Sequence, residues 1–284
     1  MRTKEEMMTL ILQIAEKLPE VLAVGMNGSR TNKKAPKDSF QDYDIVYVVN
    51  NLEKLVIQQE WLKDFGEVMI SQQPEGGELF PPSLGGRYSF LMHFQDGNRI
   101  DLILCPLKKV KDWLKEDTLL EILWDPQHIL PTVPPASDQQ YWVEKPTPQM
   151  FLDCCNEFWW VATYVVKGVA RKELFYASDH FYENCRREFL RLLSWQVGFT
   201  TDFSVSVGKN YKYLENYLPK ETMEKIYALQ DLSSLAKISR HLVTLETWFL
   251  AESQKIAQKQ GWEFLEKEAQ QVIAYTKEIL KAYL

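Results

Sequence analysis

Apolar residues recur at helical spacing from the start of the chain. Met7, Leu10, Ile11, Ile14 and Leu18 lie on one side of a 3.6-residue period, and Thr3 with Glu6 forms a capping box ahead of them. An amphipathic helix ending before Pro19 is predicted. The period then shortens. Val21 to Met26, and Ile45 to Val49 following Asp42-Tyr43-Asp44, are apolar runs rich in β-branched residues, and they read as strands. Asn51 caps a helix carrying Leu52, Leu55, Val56 and Leu62 on one face and stopped at Gly66, after which Val68 to Ser71 reads as a short strand. Tyr88 to Phe94 and Arg99 to Cys105 bracket Asp96-Gly97, a pair suited to the left-handed residues of a tight hairpin. These elements predict an α/β or α+β unit with a mixed sheet of about four or five strands.

Residues 106 to 150 change texture. Pro106, Pro126, Pro131, Pro134, Pro135, Pro146 and Pro148 mark a connector with one or two short helices at most, and the domain boundary is expected there. The division reads as 1–145, of which 106–145 is connector, and 146–284. The second part shows long amphipathic patterns at 149–169, 172–197, 209–218, 220–229, 232–256 and 262–283, the signature of a helical bundle. The expected fold class is therefore α+β: an N-terminal mixed sheet with helices, followed by a C-terminal α-helical bundle.

Composition adds exclusions. The 284 residues are 45% apolar and 25% charged with a formal net charge of −6, an ordinary globular balance without the basic excess of nucleic-acid binders. Gln13, Glu16 and Lys17 break the first apolar segment, unlike a signal peptide, and Phe158 to Val166 is too short to span a bilayer. Cys105, Cys154, Cys155 and Cys185 form no CxxC pair, so a cytoplasmic protein with reduced thiols and neither nucleic-acid nor membrane partner is expected. No GxxxxGK[ST], GxGxxG or GxSxG motif occurs, and His93, His128, His180 and His241 form no HExxH pair.

What remains is an anomaly. Asp42 and Asp44 lie two apart at the mouth of an apolar strand, so both project to one side, where like charges repel. A divalent cation would offset that repulsion, and paired carboxylates are hard-oxygen ligands suited to Mg²⁺. Asp101, embedded in Asn98-Arg99-Ile100-Asp101-Leu102-Ile103-Leu104, would face the same ions if the strands are neighbours. Gly28-Ser29 ends the preceding strand in a turn whose N–H groups and hydroxyl can meet phosphate oxygens. Each part also has a structural explanation: an exposed strand end, a common turn, or an ion pair of Asp101 with Arg30, Arg87 or Arg99. Their order along the chain makes the set more specific than its members.

That ordered set resembles the signature of nucleotidyltransferases with a polymerase-β-like core. The segments MNGSRTN, DYDIVYVV and DGNRIDLIL, with FWWVATYVVKG and RKELFYA in the second half, resemble the aminoglycoside 6-adenylyltransferase (streptomycin adenylyltransferase) family. The resemblance implies transfer of AMP from Mg-ATP to a hydroxyl of an aminoglycoside, at position 6 of streptomycin, with release of pyrophosphate and inactivation of the antibiotic. It implies Asp42 and Asp44 as metal ligands, Asp101 as a catalytic base and further ligand, and Gly28, Ser29 and Arg30 at the phosphates. Lys209, or Lys212 or Arg186, would reach the triphosphate from the helical half. Streptomycin carries guanidinium groups, so Glu173, Asp179, Trp160 and Tyr176 are the candidates for its wall, in a cleft between the halves. A lincosamide or another aminoglycoside as acceptor, AMP transfer to protein, and a non-catalytic nucleotide-binding protein are the alternatives. A monomer is favoured over an oligomer.

Overall fold

The structure is a computed structural model and describes residues 1–283. It divides into two compact units, meeting in sequence between Gln140 and Tyr141. In the first, helix α1 (Lys4–Lys17) starts as the capping box dictates. The Glu6 N–H donates to Thr3 Oγ1 at 3.2 Å and the Thr3 N–H to Glu6 Oε2 at 2.7 Å, satisfying two helix-start donors. Strands β1 (Val21–Asn27) and β2 (Tyr43–Val49) follow, then α2 (Leu52–Ile57), β3 (Val68–Gln72), β4 (Tyr88–Phe94), β5 (Arg99–Pro106), α3 (Val110–Glu116) and β6 (Leu120–Trp124). Asn51 caps α2 by accepting from the Lys54 N–H, but the helix is short and a 3-10 segment, Gln59–Phe65, continues to Gly66.

The strands form one mixed sheet in the order β3-β4-β5-β2-β1-β6. β2 and β5 run parallel and the other neighbours antiparallel. Alternation along β2 divides its side chains between two cores. Tyr43, Ile45, Tyr47 and Val49 pack with Met7, Ile11 and Ile14 of α1, while Val46 and Val48 pack with Val110 and Trp113 of α3. The sheet exceeds the expected four or five strands because β6 lies in the stretch read as connector. Its five residues, LEILW, carry too short a pattern to stand out beside Pro126, and pairing with β1 is what makes them a strand.

The second unit contains α4 (Pro148–Ala170), α5 (Leu174–His180), a π-helical turn (Phe181–Arg186), α6 (Arg187–Thr201), α7 (Lys220–Ala228), α8 (Leu235–Gln260) and α9 (Glu266–Tyr283). Phe158 and Phe249 stack face to face with centroids 3.7 Å apart, and Trp159 packs edge-on against both. The helix expected over 172–197 starts only at Leu174, because Lys172 is left-handed with φ 63°. The helix expected over 209–218 does not form. Gly208, Asn210 and Tyr211 all have positive φ, and two short 3-10 turns replace it. Among the described residues no helix is long and apolar enough to cross a membrane.

Candidate active site

β1 ends in the 3-10 turn Gly28–Arg30, and the chain returns as β2 with Asp44 opposite Asn27. On its other side β2 lies parallel to β5 with Asp44 level with Asp101, so the two carboxylates are neighbours on one face. Asp42, just ahead of β2, has the same parity. Burial first, then the charges of Asp42 and Asp101, push the Asp44 pKa from its ordinary 3.8 up to about 7. The repulsion expected from the sequence is thus present and falls on Asp44.

Arg99, two residues before Asp101 on β5, answers part of it. Its Nε and Nη2 donate to the two Asp101 oxygens at 2.7 and 2.6 Å, and Nε lies 3.7 Å from Asp42. Of the three arginines weighed as partners of Asp101, Arg99 is the one that takes it. Arg87 binds Glu116 through two bonds of 2.6 and 2.7 Å, and Arg30 braces the loop before β2. The Arg30 guanidinium donates to the carbonyls of Asp42 at 2.9 Å and Gln41 at 2.5 Å and lies 3.6 Å over the Tyr43 ring. Gln41 in turn donates to the Ser29 hydroxyl and carbonyl.

Gly28 has φ +77°, and a Cβ there would meet Asp44 Oδ2 at 2.1 Å, so the turn sits directly against the carboxylate. The Gly28 N–H is taken by the Leu119 carbonyl. The donors that a helix start leaves without an intrahelical acceptor are then those of Ser29 and Arg30. On the same face β1 is held by Trp113, whose Nε1 donates to Asn27 Oδ1 at 2.8 Å and whose ring lies where a Gly25 side chain would be.

A cavity of about 350 Å³ opens on this face of the sheet, with Asn27, Asp44, Glu75, Arg87, Asp101 and Trp113 in its lining. Glu116 and Asp117 complete an acidic wall in which Arg87 neutralises Glu116 and Arg99 neutralises Asp101. Glu75, Arg99, Asp117 and Trp113 were not singled out from sequence as site residues. Nothing local distinguishes them; they are brought in by strand register and by α3.

Among the described residues no three metal-ligating side chains converge into a ready cation cage, and here Arg99 holds Asp101 and leans toward Asp42. The donor chemistry nevertheless suits Mg²⁺: Asp44 and Asp101 share one sheet face with Asp42 just ahead of it, and burial together with the charges of the other two raises the Asp44 carboxyl. A positive guanidinium between two of them marks where positive charge is favoured.

In the second unit, Trp160 is 61% exposed and donates to the Tyr164 hydroxyl at 2.9 Å, so it is not a core residue. Tyr164 and Tyr176 each pack on His180, and Lys167 Nζ sits 4.3 Å from the Tyr164 ring and 5.4 Å from that of Tyr176. Trp160 and Tyr176 therefore belong to one aromatic group that already binds a cation. Glu173 and Asp179 are exposed, at the start and near the end of α5. Lys209 lies apart from them, lining a cavity of about 430 Å³ with Trp142, Arg191, Ser206 and Tyr211. Lys212 and Arg186 rest on the rings of Tyr213 and Tyr182.

Residues 1–279 match a family model described as streptomycin adenylyltransferase. The chain is 37% identical over 265 residues to the aminoglycoside 6-adenylyltransferase of Bacillus subtilis, covering 93% of each chain. It is 40% identical over 238 residues to that of Staphylococcus aureus, covering 84% of each. It is also 40% identical over 234 residues to that of Campylobacter jejuni, covering 82% of this chain and 81% of the other. A crystal structure of an aminoglycoside 6-adenyltransferase from Bacillus subtilis aligns over 99% of both chains at 32% identity, with a TM-score of 0.48.

Proposed function

Because the chain belongs to the streptomycin adenylyltransferase family, and is thus an adenylyltransferase, we propose that it transfers AMP from Mg-ATP to the 6-hydroxyl of streptomycin, releasing pyrophosphate. The observation that carries this reading is the alignment of Asp44 with Asp101 across the parallel β2–β5 pair, with Gly28 packed on Asp44. Asp42 and Asp44 would hold the magnesium, joined by Asp101 where Arg99 releases it. The bound ion would draw charge from the triphosphate and ease departure of pyrophosphate.

The remaining roles fall to this chain's own groups. Ser29 presents a hydroxyl and, with Arg30, backbone N–H groups next to the carboxylates, suited to phosphate oxygens. Arg30, fixed by the Gln41 and Asp42 carbonyls, keeps that turn and the Asp42 loop in register. Asp101 is the base that takes the acceptor hydroxyl proton. Arg99 occupies one lone pair on each of its oxygens, and the others stay open to a hydroxyl. Lys209 is assigned to the triphosphate, and Glu173, Asp179, Trp160 and Tyr176 to the cationic acceptor. The capacity of the Tyr164 and Tyr176 rings for cations is supported by their hold on Lys167.

Pyrophosphate release from Mg-ATP, measured separately with streptomycin, spectinomycin, kanamycin and lincomycin, tests the reading. Release with streptomycin alone is expected. Release with another of the four would keep the core chemistry and replace the acceptor. Silence with all four would turn attention to protein AMP transfer and to nucleotide binding without catalysis.

A further inference from the structure

The acidic cavity beside Asp44 and Asp101 holds a carboxylate for which the roles above have no use. Glu75 sits in the 3-10 turn Pro74–Gly76, ahead of β4 in sequence. Its Oε2 accepts both the N–H and the hydroxyl of Ser89, at 3.0 and 2.5 Å, while no donor among the described residues reaches Oε1. The turn is anchored besides. Gln73 and Gln59 exchange two amide hydrogen bonds of 3.1 Å, and the Tyr88 hydroxyl donates to Gln73 at 3.0 Å. Glu75 is therefore a fixed anion with one oxygen uncommitted, in the lining of the same cavity as Asp101.

Register sets the distance from Ser89, the anchor of Glu75, to Asp101. Leu91 pairs with Asp101 and Ser89 with Ile103, so Ser89 is the diagonal neighbour of Asp101 on that face, at about 7–8 Å. An aminocyclitol ring with a guanidinium or ammonium substituent can bridge such a span, its hydroxyl at one end and its cationic nitrogen at the other. The cavity volume of about 350 Å³ admits a ring of that size, and with Arg87 on Glu116 and Arg99 on Asp101 the lining still carries Asp44, Glu75 and Asp117, a surplus of carboxylates that favours a cationic guest.

We propose that Glu75 is a specificity-determining residue for the acceptor: its free oxygen receives a cationic nitrogen of the aminocyclitol while the hydroxyl to be modified faces Asp101. The proposal rests on the acceptor reading given above and adds to it a contact made wholly within the first unit. Preorganisation is what makes the contact effective, since no side chain must be ordered on binding.

Glu75→Gln tests it, because the amide oxygen can still accept from Ser89 while the charge is gone. The streptomycin KM should rise roughly 10- to 100-fold, the range of a lost charged hydrogen bond. The ATP KM and kcat should stay within about threefold. An unchanged streptomycin KM, or a loss confined to kcat, overturns the proposal. Should Glu75→Gln fail to fold, Glu75→Asp carries the test. It keeps the charge, so its streptomycin affinity by calorimetry should fall less than 10-fold, whereas near-complete loss of binding in a folded Glu75→Asp protein would show a purely structural tether. Wild-type protein that releases no pyrophosphate with any aminoglycoside removes the acceptor reading itself. Wild-type activity with an unaltered Glu75→Gln KM removes Glu75 alone.

Discussion

Gly28 and Asp44 form the tightest constraint in the first unit's site. The left-handed φ of +77° and the 2.1 Å approach of a hypothetical Cβ to the carboxylate act together. Gly28→Ala should destabilise the protein by about 1–3 kcal/mol and displace Asp44. Thermal denaturation and pyrophosphate release should therefore fall together. Asp44→Asn separates the two readouts. The folded carboxyl titrates near 7, well above its unfolded value of 3.8, so the stability linked to its neutral form is complete below 3.8 and is lost as pH rises through 7. The asparagine protein, without magnesium, should melt above the wild type at pH 8 and lose that advantage at pH 4, while turnover drops by about 10²-fold or more. An Asp44→Asn protein whose melting point differs from the wild type by the same amount at both pH values would remove the raised Asp44 carboxyl on which this rests. Asp42 and Asp44 stand out in the sequence because charge at the mouth of an apolar strand is conspicuous. Glu75 does not, since a glutamate in a turn is unremarkable until Ser89 folds beside it.

Elements carry a second titration. Glu246 on α8 is 1% exposed, and its carboxyl, pushed by burial from 4.5 up to about 7, is bonded by the Thr276 hydroxyl of α9 at 2.7 Å. Its stabilising neutral form is fully populated in the native state below pH 4.5 and is lost as pH rises through 7. The wild type should thus lose on the order of 3 kcal/mol across that window from this group alone. Glu246→Gln should flatten that part of the profile, and chemical denaturation at pH 5 and pH 8 would detect it. α1 offers a simpler check. Thr3→Ala removes half of the capping box and should reduce stability by about 1 kcal/mol in the same assay, with no change in turnover. The caps of α1 and α2 were legible because Thr3 and Asn51 precede clear apolar periods. The helix expected at 209–218 was not to be had from its pattern, because left-handed Asn210 and Tyr211 are set by surrounding packing rather than by helix propensity.

The whole chain carries separate cores: one lies on each face of the sheet in residues up to 140, and another fills the helical part. Each unit buries its own aromatic residues, Phe90 and Trp113 in the first and Phe158 and Phe249 in the second. A fragment of residues 1–140 should consequently melt cooperatively by circular dichroism and show no aminoglycoside-dependent turnover. A fragment ending at 105 lacks α3 and β6, leaving β1 an unpaired edge, and should not melt cooperatively. If the shorter fragment were as stable as the longer, the part given to α3 and β6 would be wrong.

Sequence by itself determined the α+β order, the hairpin at Asp96-Gly97 and the helical second half, and it put Asp42 and Asp44 at the mouth of one strand, Asp101 within another and Gly28-Ser29 in the turn before them. These are local signals: periodicity, capping and turn chemistry act within a few residues and need no partner. Tertiary structure alone decided that β6 joins the sheet, that β2 and β5 run parallel with Asp44 level with Asp101, and that Arg99 rather than Arg30 or Arg87 answers their charge. It also brought Glu75 to Ser89 and raised the Asp44 and Glu246 carboxyls. Pairing register, burial and the charge around a group depend on residues distant in the chain, and no short window of sequence contains them.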